Sequence, residues 1–250
     1  MSNKELHIPN ELSAALRDAQ HVVVFTGAGV SAESGVSTFR DALTGLWERF
    51  DPMQLATPEA FVADPALVWG WYEWRRQLLL KAQPNPAHHA IAKLAQCVPK
   101  LTVITQNVDD LHERAGSHDV LHLHGSIFSP RCFNCAQPYA LTSPPQMSHE
   151  QALPPPICSY CQGMIRPGVV WFGEALPQAE MEAAFDAAEH CDVLLSVGTS
   201  GIVHPAAQIP SLALRSSAWV VHINPEPVTC RHARELSLVG AAGQVLPLLV

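Results

Sequence analysis

Long apolar runs are missing from this sequence of 250 residues. No stretch approaches the roughly 20 residues that a membrane-crossing helix needs, so no membrane association is expected. An apolar signal core is missing as well. MSNKELHIPNELSAALRDAQ mixes acids with bases, so secretion is not expected and a cytoplasmic location is. Positive charge is scarce: 15 Lys and Arg stand against 23 Asp and Glu, a formal net charge of −8. That balance argues against a broad nucleic-acid surface, yet Arg40, Arg75 and Arg76 can still gather around a small ligand. Internal repeats are absent. Charged residues are only 15% of the chain and hydrophobic residues 48%, which is too apolar for disorder and enough for a substantial core.

What is present is a series of short, continuous apolar runs. HVVVF (21–25), LTVIT (101–105), VLLSVG (193–198) and WVVHIN (219–224) read as strands covered on both faces, with VLHLH (120–124) a weaker fifth. Helix-like segments such as 87–96 and 178–190 alternate with them. The pattern predicts an α/β fold: a Rossmann-like, doubly wound parallel sheet. From Gly125 to about Pro167 the rhythm stops, and six prolines fall between Pro138 and Pro156. This stretch reads as a small insert.

Seven cysteines is an odd count, and four of them form Cys132-x-x-Cys135 and Cys158-x-x-Cys161 inside the insert. Without a signal peptide, metal binding is the expected use of such pairs. Four thiolates close a tetrahedron around one zinc ion and leave no position for water, so the zinc is expected to be structural. A nucleic-acid-binding zinc ribbon would need basic flanks, which are lacking.

Gly27-Ala28-Gly29 follows the first strand directly, and Ser31-Ala32-Glu33-Ser34 is positioned to open a helix. Glycines there let the backbone approach a pyrophosphate, and helix amides face its charge. A tight strand-to-helix turn is the plainer alternative. A dehydrogenase would place a second strand ending in an acid about 20 residues on; here the chain runs into Ser37-Thr38-Phe39-Arg40 instead. The turn points to a dinucleotide that is not used for hydride transfer.

WYEWRRQ (71–77) raises a separate question. Tyr72 and Arg75 lie three apart and share a helix face, so a phenol and a guanidinium can grip one carboxylate together. Arg76, four from Tyr72, satisfies the same geometry. A packing helix whose arginines snorkel to solvent is the competing reading.

GAGVSAESGVSTFR (27–40), TQNVDDLHERAG (105–116), LHGS (123–126), VVWFGE (169–174), GTSGIVHPAA (198–207) and INPEP (223–227) occur in one order. Together they resemble the sirtuins, NAD-dependent protein-lysine deacylases, over about residues 21–249. The resemblance implies a single catalytic domain over 1–250. Its Rossmann-like part would take approximately 12–40, 85–124 and 168–250, and its small domain the inserts at approximately 41–84 and 125–167, the second holding the zinc. NAD would serve as an ADP-ribosyl donor: the acyl-lysine amide oxygen attacks the nicotinamide ribose, nicotinamide leaves, and a histidine base then activates a ribose hydroxyl. Free lysine and O-acyl-ADP-ribose result.

By that resemblance His124 is the base, and Asn107 serves catalysis beside it. Gln106, Asn107 and Asp109 line the nicotinamide and ribose pockets. Gly27, Ala28, Gly29, Ser31, Phe39 and Arg40 belong to the first cofactor loop, which Thr44 and its neighbours lengthen. Gly198, Thr199 and Ser200 hold the cofactor at a strand end, Asn224, Pro225 and Glu226 the adenosine ribose, and Ala242 the adenine. Val170, Trp171, Phe172 and Gly173 pair with the substrate backbone as an added strand. Tyr72 and Arg75 match the Tyr-x-x-Arg pair of class III sirtuins, desuccinylases and demalonylases, and Ala56 matches a small residue widening the same pocket. Partners are then acylated lysines of proteins, with acidic acyl groups and acetyl as substrates. Two rivals stand beside this: an NAD-dependent ADP-ribosyltransferase, and a non-catalytic binding module, which would be expected to lack His124 and Asn107.

Overall fold

Val, Ile and Leu in unbroken runs bury both faces of a strand, and each such run is a strand here. The computed structural model describes residues 8–36, 51–141 and 152–250. His21–Thr26 (β1), Lys100–Thr105 (β2), Leu121–His122 (β3), Val193–Val197 (β6), Trp219–Asn224 (β7) and Glu235–Val239 (β8) form one sheet in the order β3-β2-β1-β6-β7-β8. Every pairing in it is parallel. The order reverses between β1 and β6, which is where the crevice of a doubly wound sheet lies.

Side chains of β1 alternate between two cores, as the strand period requires. Val22 and Val24 enter a cluster with Leu12, Ile91 and Val245. Val23 and Phe25 enter another with Ala184, Ile209 and Ala213. Helices therefore cover both faces: Asn10–Asp18 (α1) and Pro86–Leu94 (α5) on one, Gln178–Glu189 (α7) and Ile209–Arg215 (α8) on the other. β8 was not among the expected strands. Its sequence ELSLV alternates and its residues are mostly half-buried, so it lacks the continuous apolar signal of its neighbours.

A third core gathers Leu55, Ala56, Phe61, Tyr72 and Trp74 with Ile127, Val169 and Trp171. It is built by Pro52–Leu55 (α2), Pro58–Ala63 (α3) and Pro65–Lys81 (α4) against the stretch that follows β3. Pro65 at the first turn and the Asp64 carboxylate, which accepts from the Leu67 amide at 3.0 Å, start α4. Residues 68–74 of α4 are all buried, so the middle of the helix is enclosed on every side, while Leu78 and Leu80 near its end are exposed. Arg131–Cys132 (β4) and Ile165–Arg166 (β5) pair antiparallel and carry the cysteine region. Among the described residues, no helix is long and apolar enough to cross a membrane.

Candidate active site

The glycine loop after β1 does not open an α-helix. Two 3-10 turns, Ala28–Val30 and Ala32–Ser34, follow it and end at Gly35 with φ +75°. The expected phosphate seat at a helix N-terminus is therefore replaced by a compact loop. Its glycines have a different reason as well. A Cβ on Gly27 would stand 2.8 Å from the Gly198 carbonyl oxygen, and one on Gly29 2.7 Å from the Gly198 Cα. The Gly29 amide donates to the Gly198 carbonyl at 3.0 Å, and Gly198 itself has φ +61°. The loops leaving β1 and β6 are thus meshed backbone to backbone at the reversal point. Ala28 is exposed there, and among the described residues no acceptor meets its amide.

The ends of β1 and β2 meet in a buried polar chain. Asn107 Nδ2 donates to Ser31 Oγ at 3.1 Å, and Ser31 Oγ donates to Asp109 Oδ2 at 3.0 Å. Asp109 Oδ1 also accepts from the Leu111 amide at 3.1 Å, the first residue of Leu111–Arg114 (α6). Burial raises the Asp109 pKa above the ordinary carboxylate range. Behind this chain His122 bonds the Asn107 carbonyl at 3.2 Å and Glu113 at 2.6 Å.

His124 follows β3. Its Nδ1 lies 2.9 Å from the Gln106 carbonyl oxygen, and a carbonyl can only accept, so Nδ1 carries the proton and Nε2 is the basic nitrogen. Desolvation by burial holds its pKa below 6.5, so the ring is neutral near pH 7.

The strand ends carry the other expected residues. Ser196 and Thr199 hydroxyls lie 3.0 Å apart, and Asn224 Nδ2 donates to the Thr199 carbonyl at 3.4 Å. Ser200, Pro225 and Glu226 are exposed. Ala242 is buried at the start of Ala242–Val245 (α9), and the next amide, Gly243, donates to Glu33 Oε2 at 2.6 Å. The C-terminal segment is thereby tied to the first loop. Phe39 and Arg40, with Ser37, Thr38 and Thr44, lie outside the described residues.

Residues 169–174 run from His124 to Ala56. The Val170 amide donates to the His124 carbonyl at 2.8 Å and the Phe172 amide to the Ala56 carbonyl at 2.9 Å. The Trp171 amide donates to Glu174 Oε2 at 2.8 Å. Three amides expected to meet a substrate are thus occupied internally, which narrows any strand addition to Gly173 and to carbonyls. Phe172 and Gly173 are exposed, whereas the Trp171 ring is buried.

That ring reaches the pair on α4. Trp171 Nε1 donates to Tyr72 Oη at 3.1 Å. The Arg75 guanidinium carbon lies 5.9 Å from the Tyr72 ring centroid and 5.0 Å from that of Trp71. Burial pushes the Tyr72 pKa up to about 12, so its hydroxyl keeps its proton. The choice that spacing left open is decided by a neighbour. Arg76 is buried in a two-bond ion pair with Glu73, its Nε donating to Oε1 at 3.1 Å and its Nη2 to Oε2. It neither snorkels nor turns toward Tyr72, and Arg75 is the cation set beside the phenol.

Arg166 was not foreseen, and Glu174 only as the end of the segment expected to pair with substrate. Arg166 pairs with Glu174 through its two terminal nitrogens, and its guanidinium carbon stacks 3.5 Å from the Trp171 ring centroid. The charged residues flanking an otherwise apolar loop were the available signal. Nearby, Cys132 Sγ lies 3.4 Å from Cys161 Sγ and Cys135 Sγ 3.8 Å from Cys158 Sγ, and all four sulfurs fall within 4.8 Å of one another. Four thiolates about 2.3 Å from a central zinc would sit about 3.8 Å apart. The cluster fits a structural zinc ion.

Comparison with known proteins agrees with this arrangement. The model of the Sir2 family matches residues 27–205. A protein of Pseudomonas aeruginosa named NAD-dependent protein deacylase 1 is 62% identical over 237 residues, covering 94% of this chain and 95% of its own. A crystal structure of a Sir2 homolog–NAD complex superposes with a TM-score of 0.88 at 43% identity, covering 97% of this chain and 93% of that one. A Sir2–p53 peptide–NAD+ complex superposes at 0.81 with 28% identity, covering 97% of each chain. With the match spanning most of the sequence and the fold shared with solved relatives, the chain belongs to the Sir2 family.

Proposed function

We propose that this chain is an NAD-dependent protein-lysine deacylase that removes acidic acyl groups, succinyl and malonyl, and acetyl as well. Its relatives named as NAD-dependent protein deacylases support the general activity. The observation that carries the acyl preference is Tyr72 and Arg75 standing together in a buried wall beside Ala56, with Arg76 neutralised by Glu73. A phenol held protonated and a guanidinium make a two-point site for a carboxylate on the end of an acyl chain.

NAD, when bound, supplies the ADP-ribosyl group and a nicotinamide leaving group. The residues that would hold it are Gly27, Ala28, Gly29 and Ser31, with Phe39 and Arg40 beyond them; Gln106, Asn107 and Asp109; Gly198, Thr199 and Ser200; Asn224, Pro225 and Glu226; and Ala242. The Asn107–Ser31–Asp109 chain holds Asn107 Nδ2, the Ser31 hydroxyl and both Asp109 oxygens by neighbours, so these groups are oriented before any ligand arrives. His124 takes a proton at Nε2 while the Gln106 carbonyl holds Nδ1, and its lowered pKa keeps it ready at neutral pH. The exposed backbone of Gly173 and the carbonyls beside it would receive an acylated lysine peptide of a protein partner. In the same reading the four cysteines hold one structural zinc, and residues 41–84 with 125–167 form the small domain against a Rossmann-like part. Thiolates kept for a metal suit a reducing cytoplasm.

One peptide carrying acetyl, malonyl, succinyl or glutaryl lysine tests the proposal. A charge-assisted contact worth about 1.5–3 kcal/mol corresponds to roughly tenfold to a hundredfold in kcat/KM. Tyr72→Phe with Arg75→Met is expected to lower desuccinylation by that factor while acetyl removal continues. Equal loss on both substrates would sink the acyl assignment. Nicotinamide release that needs no acylated peptide would favour ADP-ribosyl transfer instead.

A further inference from the structure

Tyr72 can serve an anion only if its hydroxyl points its hydrogen at it. A phenolic oxygen carries one hydrogen and accepts through its lone pairs, and the indole Nε1–H can only donate. Because Trp171 Nε1 donates to Tyr72 Oη at 3.1 Å, the Tyr72 hydrogen cannot lie on that side. The phenol is left to donate in the other direction, and a donated bond at its oxygen strengthens the one it gives. We propose that Trp171 is a specificity-determining positioning residue, which makes Tyr72 a donor to the acyl carboxylate. The inference rests on the acidic-acyl reading given above.

Trp171 is itself held on several sides. Arg166 stacks on its ring, and Phe61 packs 5.3 Å away between centroids. Arg166 is locked by Glu174 and by the carbonyls of Pro167 at 3.2 Å and Val169 at 3.0 Å. Glu174 closes the loop by accepting the Trp171 amide. Arg166 ends β5, whose partner β4 ends in Cys132. The orientation of one hydroxyl is therefore fixed through a chain of contacts that runs from the cysteine region through Arg166 and Glu174 to the Trp171 ring.

The test replaces the indole with β-(3-benzothienyl)alanine at position 171, which keeps the shape and substitutes sulfur for the N–H. Trp171→Phe is made in parallel. The ratio of kcat/KM for succinyl over acetyl peptide is expected to fall about threefold to tenfold, the worth of one hydrogen bond. The fall should appear in KM for the succinyl peptide, since the acyl tail is bound alike in ground and transition states. In a Tyr72→Phe background the same replacement should leave the ratio where Tyr72→Phe put it, which a merely structural role would not produce. A ratio unchanged by the benzothienyl replacement, in a wild type that prefers succinyl, overturns the inference alone, as does an equal fall without the Tyr72 hydroxyl. A wild type that treats both peptides alike overturns the acidic-acyl reading and this inference with it. Should Trp171→Phe not fold, the benzothienyl variant decides.

Discussion

Removing the Glu73 charge is the sharpest test of how α4 is built. Both side chains of the Glu73–Arg76 pair are 5% exposed, so neither ion can recover its hydration if the other is lost. Breaking such a pair from one side costs about 3–5 kcal/mol, because an uncompensated charge is left inside. For a domain of this size each kcal/mol lowers Tm by about 2–4 °C. Glu73→Gln should therefore melt about 10 °C below the wild type in differential scanning calorimetry at neutral pH. The deficit should persist in high salt, since screening acts on exposed charges. Replacing both partners with leucine should restore most of the loss, because two buried charges then disappear together. If Glu73→Gln melts within about 2 °C of the wild type, the pair is not buried as described, and the reason for assigning Arg75 to the acyl group falls with it.

Other outcomes follow from the same geometry. Cys158→Ser should release zinc, measured by elemental analysis, and lower Tm by several degrees; unchanged metal content would refute a four-thiolate site. Gly29→Ala sets a methyl against the Gly198 backbone and should cost about 1–3 kcal/mol with loss of activity, read by urea melts and turnover. The pH profile of kcat/KM should keep its acid limb below 6.5, because burial lowers the His124 pKa and the neutral ring is the base. His88 and His112 face each other 5.0 Å apart, with pKa values lowered to about 3 and about 4 by burial and, for His88, by His112 and His89. Their contribution is whole above the unfolded pKa of 6.5 and is lost as pH falls toward the folded values, about 2 kcal/mol per ring by pH 5. His88→Gln keeps the capping box at Asn85 and should remove about 2 kcal/mol of that loss between pH 7 and pH 5; parallel stability curves would refute it.

The central strands were legible because burial on both faces leaves an unbroken apolar run, as in VVVF and VLLSV. β8 was not, since an edge strand needs apolar residues on one face only, and ELSLV resembles many amphipathic turns. The glycine loop was found in the sequence, but only one physical reason for it was legible there. Spacing pointed to a pyrophosphate; that Gly27 and Gly29 also meet the backbone of Gly198, a residue far away in the chain, was not visible. Arg75 and Arg76 could not be told apart by helix geometry, since both lie within a turn of Tyr72. Glu73-x-x-Arg76 repeats the spacing of Tyr72-x-x-Arg75, and only burial makes the first an ion pair. Arg166, and the pairing of Glu174 with it, escaped notice because their value lies in what they hold, the Trp171 ring, and no local pattern encodes that.

The pairing of β1 also sets the order in which this protein can be made. His21 aligns with Lys100 and Val22 with Val193, so the middle of the sheet joins chain segments synthesised far apart. A ribosome emitting residues in sequence exposes VVVF with one flank open until VLLSV emerges. Such distant closures slow folding, because loop entropy is lost before the contacts form. The first strand is thus the part of the core whose apolar flank waits longest for its neighbour as the chain is synthesised.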